Sequence, residues 1–249
     1  MKDRIWKSDQ ATVHVLLSLA GVSTAILLKN GPDSLLWDCG DGALFALLDS
    51  GETSVSLSAV VISHGHYDHI GGLYSLIGHM RTYGRTEALH IYFPAEAAEP
   101  EELARLFLKG REDSMTFEVC FHGLSVGEQF DVGSIRLAAF EVVHRGSSVN
   151  ETVGKVLLPA FGYVAECGEK KIVYSGDTGP CEQLREACRD ADLAMIEATF
   201  GEEMDKLFPT IDEEKKKELC EVHMSAEQAR EMGAGAKETW LIHPIRGRG

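Results

Sequence analysis

Apolar and polar positions alternate in short blocks over the first sixty residues, and Gly/Asp pairs separate the blocks. The period of two in "HVLLSL", "STAILLK" and "SLLWDCG" predicts strands, and "DGALFALLD" carries helical spacing. The strand "SAVVISH" follows, then a helical "GGLYSLIGHMRTYG", a strand "LHIYFP" closed by Pro94, and a helix "EPEELARLFLKG" with proline and acids in its first turn. Strands are expected in "MTFEVCFH", "QFDVG" and "SIRLAAFEVVH", and an irregular "RGSSVNETVGKVLLP" comes after them. "AFGYVAECGEKKIVYSGDTG" reads as a hairpin turning at Gly168-Glu169-Lys170, ahead of a helix around "CEQLREACRD" and a strand "LAMIEATF". The charge-rich "GEEMDKLFPTIDEEKKKELC" reads as a solvated insert. Ser225 and Gln228 form a capping-box pattern before a short helix, and "TWLIHP" is the last strand. Strands thus alternate with helices in both halves, with no repeat of solenoid length, which places helices outside sheets in an α/β fold.

A chain of 249 residues can bury one sizeable core, so a single domain over 1–249 is expected. The longest apolar stretch, Val13 to Leu28, is broken by His14, Ser18, Gly21, Ser23 and Thr24, so it reads as two core strands and a turn rather than a membrane span. No cleavage-site pattern follows a basic start. Acidic residues outnumber basic ones by 39 to 24, and the formal charge of −15 repels a polyanion at long range. The six cysteines form no CxxC pair, as expected of reduced thiols in a cytoplasmic protein.

Residues 60 to 72, "VVISHGHYDHIGG", change this bland picture, because an apolar strand ends in three histidines and an aspartate within six positions. A surface turn needs no buried strand in front of it, whereas strand-end ligand clusters are a recurrent way to hold zinc or another divalent ion. Three later positions repeat the form: His144 ends "AAFEVVH", Asp177 ends "KIVYSGD" and His243 ends "TWLIH". "SGDTG" lacks the lysine and spacing of a phosphate-binding P-loop and is assigned to the same metal edge. His14 and His90, in apolar strands, and His79 and His122, near expected loops, read as core, capping or surface residues.

"HGHYDH", His144, "SGDTG" and His243 in this order resemble the metallo-β-lactamase superfamily, over nearly the whole chain from Asp38 to His243. The resemblance implies a four-layer αββα sandwich with two metal ions at one edge of the paired sheets. His64, His66 and His144 would hold the first ion, Asp68, His69 and His243 the second, and Asp177 would bridge them. "IEATF" with Glu197 and "HMSAEQA" with His223 resemble the ribonuclease Z-like phosphodiesterase branch, in which an acid and a histidine work beside the metals.

These expectations combine into a dinuclear metal-dependent hydrolase, a phosphodiesterase using a metal-bridging hydroxide as nucleophile. Two divalent cations acidify a shared water and offset charge on the attacked group, Asp68 orients the hydroxide, and His223 paired with Glu197 protonates the leaving oxygen. The cofactors are two divalent ions, zinc first, with manganese or iron as alternatives. A hydrolase of carboxylic esters, lactones or thioesters on the same metals is the alternative enzyme, and a non-catalytic metal-bound regulatory protein the alternative class. Members of the branch that process tRNA precursors carry a gripping arm, in the common bacterial form between the third and fourth metal motifs, and His144 to Asp177 leaves no room for one. "SLAGVST" shows no glycine-rich N-terminal loop, and relatives tend to continue beyond the point six residues after His243 where this chain stops. The expected partner is therefore a small-molecule or short phosphodiester, with structured tRNA disfavoured, no membrane, and a homodimer left open.

Overall fold

The computed structural model describes residues 4–145, 157–200 and 213–245. Seven strands form the first sheet: β1 (Arg4–Lys7), β2 (Thr12–Leu19), β3 (Ser23–Asn30), β4 (Asp33–Trp37), β5 (Ala59–Val61), β6 (Leu89–Pro94) and β7 (Val119–Leu124), in that spatial order. β1 to β4 are antiparallel neighbours and β4 to β7 are parallel. The second sheet holds β8 (Gln129–Val132), β9 (Ile135–Glu141), β10 (Phe161–Cys167), β11 (Lys170–Tyr174), β12 (Leu193–Glu197) and β13 (Thr239–Ile242), antiparallel from β8 to β11 and parallel from β11 to β13.

Alternation along the strands sorts their side chains into layers. Val13, Ile26, Leu28, Leu35, Trp37 and Val61 of the first sheet meet Leu137, Tyr163, Ile172, Tyr174 and Met195 of the second in the central core. The intervening residues Leu27, Leu36, Val60 and Ile91 face α1 (Ala43–Asp49), α3 (Leu73–Thr82) and α4 (Glu99–Leu108), which bury Leu47, Leu76, Ile77 and Phe107 against them. On the other side Val173, Ala194 and Ile196 pack against α5 (Glu182–Cys188) and α7 (Ala226–Met232). The layers are therefore αββα, as expected. Fully buried aliphatic side chains such as Ile26, Leu28 and Leu35 each stabilise by roughly 1.5–3 kcal/mol. Apolar packing between the sheets, not the ionic cluster at their edge, holds the sandwich together.

Most predicted elements are present, including the short α2 (Tyr67–Ile70) inside the histidine cluster and the capping box of α7, where Ser225 Oγ accepts from Gln228 N at 3.2 Å. Gly110 follows α4 with a φ of 72°, a left-handed conformation that glycine adopts without steric penalty. The insert contributes α6 (Glu213–Leu219), while 201–212 and most of the irregular stretch, 146–156, lie outside the described residues. Three placements add to these expectations. β1, a mostly exposed edge strand of four residues, has too little apolar pattern to be visible in the sequence. His79 lies within α3, where its Nδ1 meets Ser54 Oγ at 2.8 Å. His122 lies within β7, its Nε2 3.0 Å from His90 Nδ1, because pairing with β6 carries the strand through Gly123 to Leu124.

Candidate metal centre

Strand direction brings the polar strand ends together. The carboxyl ends of β2, β4, β5, β9, β11, β12 and β13 reach one edge of the sandwich, which is where parallel α/β sheets place their sites. Asp38 follows β4, the His64–His69 segment follows β5, His144 follows β9, Asp177 follows β11, Glu197 closes β12 and His243 follows β13. The turn between β2 and β3 arrives there too, and Gly21 N donates to Asp68 Oδ2 at 2.8 Å. That turn carries no recognisable motif in "SLAGVST".

All seven expected ligand-type residues converge. His64, His66 and His144 form one group of ligand atoms within 4.8 Å of one another, and Asp68, His69 and His243 form another. His64, His69 and Asp177 form a third group that joins the two. Asp177 Oδ2 lies 3.9 Å from His64 Nε2, while Oδ1 lies 3.4 Å from His69 Nε2 and 3.3 Å from His243 Nδ1, so its two oxygens face opposite halves of the site. His64, His69, His144 and Asp177 each belong to two of these groups, counting one that His144 and Asp177 form with His223.

The donor set fits cations. His64 Nε2, His69 Nε2 and His144 Nδ1 are buried with no hydrogen-bond partner, and such orphaned groups are rare in a folded protein. Burial and then mutual repulsion with His69 and His144 hold the His64 ring well below its ordinary pKa. Burial lowers His66 as well, and pushes His144 down to about 3. These rings are neutral lone-pair donors, and His66 Nδ1 and His144 Nε2 approach to 3.2 Å. Burial alone would raise Asp177, but the facing His243 and His69 outweigh it and keep the carboxylate ionised. For Asp68, the bond from His243 and the charge of His69 likewise outweigh burial. His69 goes the other way: burial opposes charge, yet Asp177 and Asp38 raise its pKa well above the ordinary value. Between such carboxylates a divalent cation can take the place of that proton.

Of the outer partners, Asp38 marks the start of the resemblance but had no expected role, and Ser63 and Ser18 carried no signal. His69 Nδ1 meets Asp38 Oδ2 at 2.7 Å, which leaves Nε2 to face the site. Ser63 Oγ lies 2.9 Å from both Asp38 Oδ2 and His64 Nδ1. Asp38 and His243 are non-glycine residues with φ of 56° and 57°, strained conformations of the kind that clusters at functional sites. Ser18 Oγ accepts the His243 backbone N–H at 2.6 Å and pins that turn to β2.

Glu197 and His223 form the expected pair, with His223 Nδ1 2.9 Å from Glu197 Oε1. The carboxylate is fully buried and accepts backbone N–H groups from Thr178 at 3.0 Å, Thr199 at 2.9 Å and Met224 at 3.3 Å. Burial opposes charging His223, but Glu197 outweighs it and raises the ring to about 9. The ring also joins His144 and Asp177 in a fourth ligand-type group. Its Nδ1 is engaged by Glu197, which leaves Nε2 as the ring nitrogen not held by that carboxylate. Thr199 Oγ1, given no role although it lies in "IEATF", is 3.3 Å from His223 Nδ1 and 3.2 Å from His243 Nδ1.

Comparison with known proteins agrees with this architecture. Residues 34–243 match the model of the beta-lactamase superfamily domain. A ribonuclease Z of Sulfurisphaera tokodaii is 29% identical over 208 residues, covering 72% of this chain and 70% of its own. The metallo-beta-lactamase fold protein YhfI of Bacillus subtilis superposes with a TM-score of 0.73 at 20% identity, covering 97% of this chain and 89% of its own. The short form of human tRNase Z superposes with a TM-score of 0.70 at 21% identity, covering 94% and 92%. With two adjacent His/Asp clusters at the sheet edge of an αββα sandwich, and relatives that point to the ribonuclease Z-like branch, the chain belongs to the beta-lactamase superfamily as a metal-dependent hydrolase.

Proposed function

We propose that this single-domain protein hydrolyses small phosphodiesters with two divalent ions, zinc in the first instance. The observation that carries the phosphodiester reading is the Glu197–His223 pair beside the metal clusters. His64, His66 and His144 would hold one ion, Asp68, His69 and His243 the other, and Asp177 both. When bound, two such ions supply Lewis-acid activation of water and neutralise charge on a phosphoryl group near neutral pH.

The remaining work falls to side chains. Asp68, kept ionised and fixed by the Gly21 N–H, orients the attacking water. With Nδ1 engaged by Glu197, His223 has Nε2 left to hand a proton to the departing alkoxide. That step matters for a phosphodiester with a poor leaving group, and less for a lactone or thioester. The acidic surface, with charge −15, disfavours a polyanionic substrate but leaves room for a single phosphate at the ions. The six unpaired cysteines suit a reducing, cytoplasmic setting, and no described helix is long and apolar enough to cross a membrane.

The test is a substrate panel at near-physiological salt with metals loaded: aryl phosphodiesters, cyclic nucleotides, lactones, thioesters and precursor tRNA. Hydrolysis of a small phosphodiester with poor cleavage of the tRNA is expected. Efficient site-specific release of the tRNA 3′ trailer would overturn the small-substrate reading, and turnover confined to carboxylic esters would overturn the phosphodiester reading.

A further inference from the structure

Tyr174 ends β11 of the second sheet, and Asp38 follows β4 of the first, 136 positions earlier. Their meeting joins a side chain of the second sheet to an outer partner of the ligands on the first. The Tyr174 ring is fully buried against Trp37, with centroids 5.6 Å apart, and its hydroxyl donates to Asp38 Oδ2. Burial and the Asp38 charge keep the phenol protonated, so toward this oxygen it is a donor.

The Asp38 carboxylate, itself without solvent exposure, is held by four donors. Oδ1 accepts from Ser63 N at 2.7 Å, and Oδ2 accepts from Ser63 Oγ at 2.9 Å, from His69 Nδ1 at 2.7 Å and from Tyr174. Two of the four come from Ser63 and one from His69, both on the segment that carries the ligands. Tyr174 alone is anchored elsewhere, so it alone ties the carboxylate to the opposite sheet. At the far side of the imidazole, His69 Nε2 is buried, lacks a hydrogen-bond partner and faces Asp177 Oδ1 at 3.4 Å. Without Tyr174 the carboxylate is held only by the segment it positions, so Asp38 and the His69 ring can shift together and the Nε2 direction changes with them.

We propose that Tyr174 is a positioning residue for the second ion: it clamps the Asp38 carboxylate across the sandwich, so that Asp38 holds His69 with Nε2 aimed into the site. The proposal rests on the two-ion reading above. It differs from a purely structural role in being selective. Tyr163, the direct β-ladder neighbour of Tyr174, is equally buried and donates to Ile62 O at 2.7 Å, not to Asp38. Tyr163→Phe therefore removes a comparable buried bond, from the peptide whose Ser63 N–H meets Asp38 Oδ1, while leaving all four donors to the Asp38 carboxylate in place.

Stepwise zinc affinities are measured on the full chain by chelator competition, alongside cobalt titrations that follow d–d absorption. Tyr174→Phe is expected to weaken one of the two ions by about tenfold, the lower end for loss of an outer partner, and to alter the cobalt spectrum of that step alone. Tyr163→Phe should leave both affinities and both spectra as in the wild type, while lowering the melting temperature of the metal-free protein as Tyr174→Phe does. Equal zinc affinities in Tyr174→Phe and wild type, or equal weakening by Tyr163→Phe, would overturn the proposal. Wild-type protein that never binds more than one ion would overturn the two-ion reading and this proposal with it. A further readout needs no variant: the Tyr174 hydroxyl proton resonance should shift on binding of one equivalent of zinc and not the other, and indifference to both would count against the clamp.

Discussion

His223 Nδ1 lies 2.9 Å from Glu197 Oε1, and that carboxylate is fixed in turn by three backbone N–H groups from Thr178, Thr199 and Met224. The acid is therefore immobile, and the histidine it holds is oriented rather than merely charged. His223→Ala should leave metal content close to that of the wild type and slow phosphodiester hydrolysis by ~10²- to 10⁴-fold. The loss should shrink as the leaving group becomes more acidic. Loss of an ion in this variant, measured by elemental analysis, would instead make His223 a ligand.

The same pair sets a pH dependence. His223 is raised from its ordinary value of 6.5 to about 9, so its pairing with Glu197 contributes stability that is whole below pH 6.5 and is lost as pH rises through about 9. Turnover of substrates with poor leaving groups should fall over the same rise, because the proton donor is lost. Glu197→Gln removes the charge that raises the ring, so the alkaline limb should move to lower pH. A limb that stays in place in Glu197→Gln assigns it to another group.

Metal stoichiometry follows from how Asp177 faces both halves of the site. Carefully loaded protein should hold up to two divalent ions per chain. Asp177→Ala should disturb both, and His243→Ala chiefly the one beside Asp68 and His69. Elemental analysis that never exceeds one ion would exclude the dinuclear arrangement.

Gly40 offers a backbone test of the same site. A Cβ at this position would lie 2.1 Å from Asp68 O and 2.6 Å from Ser23 Oγ, so the loop after β4 packs against the ligand-bearing segment only because no side chain intervenes. Gly40→Ala should destabilise the fold by about 1–3 kcal/mol through overpacking, read by denaturant unfolding. It should also weaken binding at Asp68 and His69 before it affects His144. Wild-type stability together with wild-type metal affinity would show that the segment shifts at no cost.

The local chemistry is legible in short stretches of the chain. A strand running into "HGHYDH" puts four ligand-type side chains within six positions, and they need no distant partner to be recognised. The endings at His144, Asp177 and His243 were visible because an apolar run that stops at a polar residue is itself a local pattern. The Ser225–Gln228 capping box was legible for the same reason, both of its bonds spanning three positions. What supports that chemistry depends on contacts between distant positions. Asp38 and Tyr174 are 136 positions apart, Gly21 and Asp68 are 47 apart, and Ser18 and His243 are 225 apart. Alternation marks a strand and its buried face, but it does not say which strand lies beside it or which ends share an edge. Those choices come from long-range pairing of two sheets and the burial of Trp37, Tyr163 and Tyr174 between them, so the clamp on His69 and the Thr199 link between His223 and His243 appear only when the sandwich has closed.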